Sequence, residues 1–313
     1  MANEDPPEVV PPTNGAPDGA TAATFEQYTR PGGDRLDEDM LAEVRRGRTG
    51  ADAAAFFDLD KTIIARSSTL MMGRSFLRDG LISPTTVVKG LYAQAVYQLV
   101  GADHERMEQM RQAILHLTTG WEAERVQRVV RETIEEVIAP YVYAEALDLL
   151  AWHRARGRDV WIVSSSGEEI VAPFAEYLGV DDFIATRGGV DEHGRYDGTL
   201  SFYAYAGNKA TALRQVAEVR GYDLEGCYAY SDSITDLSML SAVGHPVAVN
   251  PDRELRAAAV AMGWEVRDFH SPVSLRRHLP ELQRPRNDVL FGALALAAVG
   301  IVLWRWVVAD DDG

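Results

Sequence analysis

Four short apolar runs, at 53–59, 159–163, 226–231 and 246–249, constrain the fold of this chain most, because none shows the polar alternation of a strand with one wet face. Strands buried on both faces need helices on either side of their sheet. Helical periodicity over 168–178, 209–220, 237–243 and 253–262 supplies them, interleaved with the runs. This alternation predicts an α/β fold, three layers around a parallel, Rossmann-like sheet. Ligands in such sheets bind just beyond the carboxyl ends of the strands, which is where chemistry-bearing residues are to be sought.

The stretch from Ser67 to about Pro140 breaks the rhythm. Its apolar positions, such as Leu91, Met107, Met110, Ile114, Val126, Val129 and Ile134, recur at helical spacing on a charged background, with Pro84, Gly101 and Gly120 as breaks. An inserted all-helical cap over 73–140 is predicted, within a core made of 51–72 and 141–282. Turn glycines within 188–201 predict a β-hairpin insertion.

The two ends have different compositions. Residues 1–24 contain five prolines, four acids and no Lys or Arg, too little apolar surface to offset the entropy of ordering. Residues 1–50 are therefore assigned to a disordered acidic, Pro-rich tail, interrupted at most by one short helix around 36–46. The front end also lacks the basic and apolar regions of a signal peptide. At the other end, 290–308 is a 19-residue stretch broken only by Arg305, about 29 Å long as a helix. Trp304 and Trp306 flank Arg305, whose stem can snorkel, so a transmembrane helix over 288–309 is expected; a buried C-terminal core helix is the alternative. Arg276, Arg277, Arg284 and Arg286 precede this segment and Asp310, Asp311 and Asp312 follow it, which orients the bulk of the protein toward the cytoplasm at the cell membrane.

Composition removes several classes of function. With 31 Lys plus Arg against 47 Asp plus Glu, the formal charge is −16, the wrong sign for a nucleic-acid binder. The single Cys227 leaves no internal disulfide and no CxxC zinc site, and it is read as a small core residue. None of the seven His residues pairs at HxxxH spacing.

Four motifs fall at predicted strand ends. In Phe57-Asp58-Leu59-Asp60-Lys61-Thr62, strand alternation projects Asp58 and Asp60 to the same side, and adjacent carboxylates call for a compensating cation or a shared proton. Ser164-Ser165-Ser166-Gly167 places hydroxyls and free N–H groups at the next strand end, where a helix begins, an arrangement suited to an anion. Ser164 is assigned to phosphate contact, and Ser165 to the same contact through its backbone N–H or else to capping. Ser166 is assigned to a capping box with Glu169. Lys209 opens a helix after Gly207-Asn208 and is an ordinary surface lysine unless it lies beside the acids, where its ammonium would balance their charge. Asp232 ends the strand over 226–231 with Asp236 four residues on; helix capping by Asp232 or Thr235 is the simpler alternative.

In this order the four motifs resemble those of the haloacid dehalogenase-like hydrolases, subfamily IB, the branch around phosphoserine phosphatase, over about residues 51–270. The resemblance implies Asp58 as nucleophile and Asp60 as acid and then base. It implies Mg²⁺ held by Asp58, the Asp60 backbone carbonyl and Asp232, phosphate bound by Ser164 and Lys209, and Asp236 orienting Lys209 or a metal-bound water. Two positions depart from that branch: Ser67 stands where its members carry the glutamate that receives the substrate amino group, and Thr235 where they carry Asn. Phosphatase chemistry is expected, on a small phosphomonoester or, given the membrane segment, a lipid phosphate. A non-catalytic membrane-tethered interaction protein is the rival from another class, and it is disfavoured because no catalytic position is substituted.

Overall fold

Seven strands form one sheet: β1 (Ala54–Phe57), β2 (Asp159–Gly167), β3 (Asp182–Val190), β4 (Tyr196–Phe202), β5 (Tyr228–Ser231), β6 (His245–Val249) and β7 (Glu265–Arg267). Their order is β4-β3-β2-β1-β5-β6-β7, parallel throughout except for the antiparallel β3–β4 pair. The computed structural model describes residues 34–47, 50–83 and 104–271. The expected membrane segment at 288–309 lies outside them, and among the described residues no helix is long and apolar enough to cross a membrane.

Period-2 alternation divides the core into two layers. Ala55, Phe57, Val160, Ile162, Tyr230 and Val247 face one side, while Ala54, Phe56, Trp161, Val163, Ala229 and Ala248 face the other. Helices α2 (Ser68–Arg78), α4 (Ala123–Val137), α5 (Ala144–Ala155) and α6 (Glu168–Leu178) cover the first side, and α3 (His104–Thr118) precedes α4. The second side is covered by α1 (Glu38–Arg46), α7 (Gly207–Arg220), α8 (Leu237–Leu240) and α9 (Arg253–Met262).

The structure refines the expected boundaries. Helix α1, placed in the disordered tail, is part of the fold: Leu36, Met40, Leu41 and Val44 are buried with Leu213 and Val216 of α7, and Asp37 caps the helix by accepting from Met40 N at 2.9 Å. An amphipathic face of four apolar side chains is enough to dock one short helix. The boundary drawn between residues 72 and 73 falls inside α2. Within the insertion, Val126, Val129, Val130 and Ile134 of α4 share one core with Ile170 and Phe174 of α6. Finally, the hairpin is a continuation of the sheet: β3 pairs with β2 along its first half and then turns into β4. Its tip grips the α3–α4 turn through Gly120 N to Tyr196 O (2.8 Å), Tyr196 N to Trp121 O (3.0 Å) and Ala123 N to Gly194 O (3.1 Å).

Candidate active site

The central strand β1 delivers the first acidic motif. Asp58 N donates to Tyr230 O at 2.9 Å, extending the ladder one residue past the strand and leaving the Asp58 side chain at the carboxyl edge. Asp58 is 7% exposed. Lys61 follows in the left-handed region (φ 62°), a strained position for a non-glycine residue that turns the chain sharply after Asp60.

Helix α7 begins at the same edge and brings in the cation. Lys209 Nζ donates to Asp58 Oδ1 and to Asp236 Oδ2, each at 2.7 Å, and its side chain is 4% exposed. Ser231, the last residue of β5, donates from Oγ to Asp236 Oδ2 at 2.8 Å. Asp236 therefore orients Lys209, one of the two roles open to it from sequence. Neither Asp232 nor Thr235 serves as a cap here; Ser233 accepts from Thr235 N in the short turn Ile234–Asp236.

Asp60 is held from two directions. Its Oδ1 accepts from Ser68 N at 2.8 Å, so the carboxylate caps the N-terminus of α2, where Ser67 makes no side-chain cap of its own. Its Oδ2 accepts from Ser166 Oγ at 3.4 Å, and Ser166 Oγ is 2.9 Å from Ser68 Oγ. The capping box expected of Ser166 and Glu169 is not formed. Strand β2 runs on to Gly167, which becomes the N-cap of α6 without a side-chain bond, and Ser166 turns toward Asp60 instead. Glu169 is hydrogen-bonded to Tyr196 of the hairpin, and burial raises its pKa. Ser164 is buried, accepting from Ser166 N at 3.2 Å, whereas Ser165 is exposed and its carbonyl receives Thr186 Oγ1 at 2.8 Å.

The electrostatics follow from burial. Desolvation pushes Asp58 well above the usual carboxylate range; Lys209 opposes this and the neighbouring Asp236 and Asp232 add to it. Asp60 is also raised by burial, against the Ser68 N–H. Burial pushes Asp232 up to about 7, with Lys61 as the main opposing charge; Lys61 Nζ lies 3.8 Å away on a side chain that is 68% exposed. Desolvation would lower Lys209, but Asp236 and Asp58 outweigh it and hold the ammonium charged. One buried ammonium thus faces three buried acids: Asp58, Asp232 and Asp236.

That excess suits a divalent cation. Among the described residues no group of three or more His, Cys, Asp or Glu forms a protein cage for a metal. Magnesium does not require one, because it keeps several waters and takes one or two carboxylates plus substrate phosphate. The hard oxygen donors of Asp58 and Asp232 fit this habit, with the Asp60 backbone carbonyl between them in sequence.

The structure thus joins Asp58, Lys209 and Asp236 directly and sets Asp60 and Asp232 on loops, and Ser164 and Ser165 on the end of β2, at the same sheet edge. Two partners escaped sequence reasoning, Ser68 and Ser231. Ser231 stands beside Asp232 at a strand tip, a signal that was available; the Ser68 hydroxyl carried none, because its partner Ser166 is 98 residues away.

The haloacid dehalogenase-like hydrolase family matches residues 55–241. An inhibition of morphological differentiation protein of Streptomyces azureus is 49% identical, over 79% of this chain and 88% of its own length. A probable phosphatase of Mycobacterium tuberculosis is 51% identical, over 74% and 80%. A phosphoserine phosphatase of the same organism is 34% identical, over 79% and 78%. The chain belongs to the haloacid dehalogenase-like hydrolases, and within them it is a phosphatase.

Proposed function

We propose that this phosphatase hydrolyses phosphomonoesters with Mg²⁺ through an aspartyl-phosphate on Asp58. The observation that carries the reading is Lys209 Nζ, buried and held 2.7 Å from both Asp58 and Asp236 at the carboxyl edge of the sheet. Asp58 attacks phosphorus, the ester P–O bond breaks, and Asp60 gives its proton to the departing alkoxide. Asp60 then takes a proton from the water that attacks the aspartyl-phosphate, and the Asp58–P bond breaks to release inorganic phosphate. Lys209 and Ser164, with Ser165 N–H, bind non-bridging oxygens as charge develops on them. Asp58, Asp232 and the Asp60 carbonyl would hold Mg²⁺, which supplies charge neutralisation between nucleophile and phosphate.

The direct test is phosphate release from generic phosphomonoesters with Mg²⁺, beside Asp58→Asn, together with trapping of an acid-stable, hydroxylamine-labile phosphoryl adduct. Equal turnover by both proteins would sink the mechanism. A small soluble ester is the first substrate class. The apolar segment at 288–309 favours a second, a lipid phosphate met at the cytoplasmic face of a membrane. Comparing phosphoserine with lysophosphatidate separates the classes, and fractionation of cells expressing the full chain tests the tether.

A further inference from the structure

We propose that Ser166 is the positioning residue for Asp60, fixing which carboxyl oxygen faces the leaving group and tying that choice to the start of α2. The inference rests on the phosphatase reading above and goes beyond it.

The Asp60 carboxyl has two differently committed oxygens. Oδ1 receives a backbone N–H, that of Ser68, at 2.8 Å. A backbone N–H can only donate, so Oδ1 stays an acceptor throughout the reaction, and the transferable proton is best carried on Oδ2. Two hydroxyls act on Asp60, those of Ser68 and Ser166, and the one bonded to Oδ2 is that of Ser166, which both donates and accepts. It donates to Oδ2 at 3.4 Å when Asp60 is a carboxylate, and it can rotate away once Oδ2 carries the proton. No backbone amide could serve both states.

The position of Ser166 is over-determined. It is 7% exposed, its N–H is bound to Ser164 Oγ at 3.2 Å, and its Oγ lies 2.9 Å from Ser68 Oγ and 3.3 Å from Thr69 Oγ1. Ser68 and Thr69 are the first residues of α2, the helix that leads into the inserted segment. One hydroxyl thus joins the end of β2, the Asp60 carboxyl and the entry to the insertion. A residue that only capped α6 would make none of these contacts.

A residue that orients a general acid has a signature that loss of packing lacks. An alkyl phosphate needs its leaving oxygen protonated, whereas p-nitrophenyl phosphate expels a stable phenolate and needs little help. The measured quantity is kcat/KM, which reports the steps through formation of the phosphoenzyme and ignores its hydrolysis. In the full chain with Mg²⁺, Ser166→Ala is expected to lose about tenfold or more on an alkyl phosphate, part of the roughly 10²–10⁴ that acid catalysis supplies. The loss on p-nitrophenyl phosphate should stay within about twofold. Ser166→Thr keeps the hydroxyl and should restore the alkyl ester. Ser166→Cys, close to serine in volume but a weak donor, should behave like alanine, and it serves if alanine fails to fold. Equal losses on both esters, or none on either, would overturn the assignment while leaving the phosphatase reading intact. A wild-type chain silent on both esters would overturn the phosphatase reading and this assignment with it.

Discussion

Replacing Lys209 with Met removes the one cation that, among the described residues, is buried beside Asp58 and Asp236, and the structure sets the size of the effect. Both contacts are 2.7 Å, between side chains 4%, 10% and 3% exposed. At that separation and an effective dielectric constant of about 20, each pair is worth roughly 6 kcal/mol before desolvation. The ammonium gives back much of this as its own desolvation cost, and removing one partner of a buried pair typically costs about 3–5 kcal/mol. Lys209→Met is therefore expected to lose about 3–5 kcal/mol at pH 8 in EDTA, a fall in melting temperature of roughly 6–20 °C for a domain of this size. The sign of the pH dependence follows from Asp58. Its pKa in the folded protein already lies above the unfolded value, and without Lys209 it rises further. The folded variant then binds a proton that the unfolded chain does not, so its stability returns as pH falls through the folded pKa. The deficit should shrink between pH 8 and pH 5. Adding Asp236→Asn should recover part of it, a coupling that a double-mutant cycle by urea denaturation resolves. A deficit below about 1 kcal/mol at pH 8, or one equal at both pH values with no recovery in the double variant, would refute the buried triad.

Three further outcomes are expected. Mg²⁺ should raise the melting temperature of the wild type at pH 8 and much less at pH 5.5: Asp232, pushed up to about 7, destabilises the fold when ionised and is protonated in acid, so Asp232→Asn should abolish the difference. Gly244→Ala places a Cβ 2.1 Å from the backbone oxygen of Glu225 and should cost about 1–3 kcal/mol by overpacking; an unchanged melting temperature would show that the loop yields freely. Burial, with Arg158 and Arg156 nearby, lowers His153 to about 3, so it stays neutral beside Tyr230 and its contribution to stability is lost as pH falls below about 6.5. His153→Gln should flatten the stability profile between pH 6.5 and 4 by up to about 1.4 kcal/mol per pH unit relative to wild type, and parallel profiles would refute a buried neutral imidazole.

What was legible in the sequence was local. Runs such as 159–163 announced buried strands because nothing polar interrupts them, and helix α6 matched its predicted 168–178 span because Gly179 stands in the left-handed region and ends it. Strand β3 was missed beyond its hairpin because its entry, Asp182-Phe183-Ile184-Ala185-Thr186-Arg187, is short and charged at both ends. It becomes a strand only through pairing with β2, a contact that no property of the segment itself announces. Helix α1 was misplaced for the related reason that its apolar face finds α7 more than 160 residues away.

The same distinction explains the site. Residue types and spacings picked out Asp58, Asp60 and Asp236 because acids clustered at strand ends are chemically unusual, and Lys209 only as the charge that would balance them. Their pairing could not be read, since Lys209 meets Asp58 across 151 positions and Asp236 across 27. Ser166 shows how far a four-residue difference in strand length propagates. If β2 stops at Val163, Ser166 falls at the helix start and becomes a cap; with β2 running to Gly167, the same hydroxyl meets Asp60. Strand length, set by pairing of Gly167 with Thr186 on β3, therefore determines the chemistry open to that hydroxyl, and β3 is the strand whose entry the sequence concealed. Weakening the β2–β3 pairing at Thr186 should for this reason reach Asp60 through Ser166, so a Thr186→Val variant, which deletes the hydroxyl bonded to Ser165 O, is expected to show the same alkyl-ester defect in milder form. A Thr186→Val protein with wild-type kcat/KM on both ester classes would show that Ser166 keeps its place without that support.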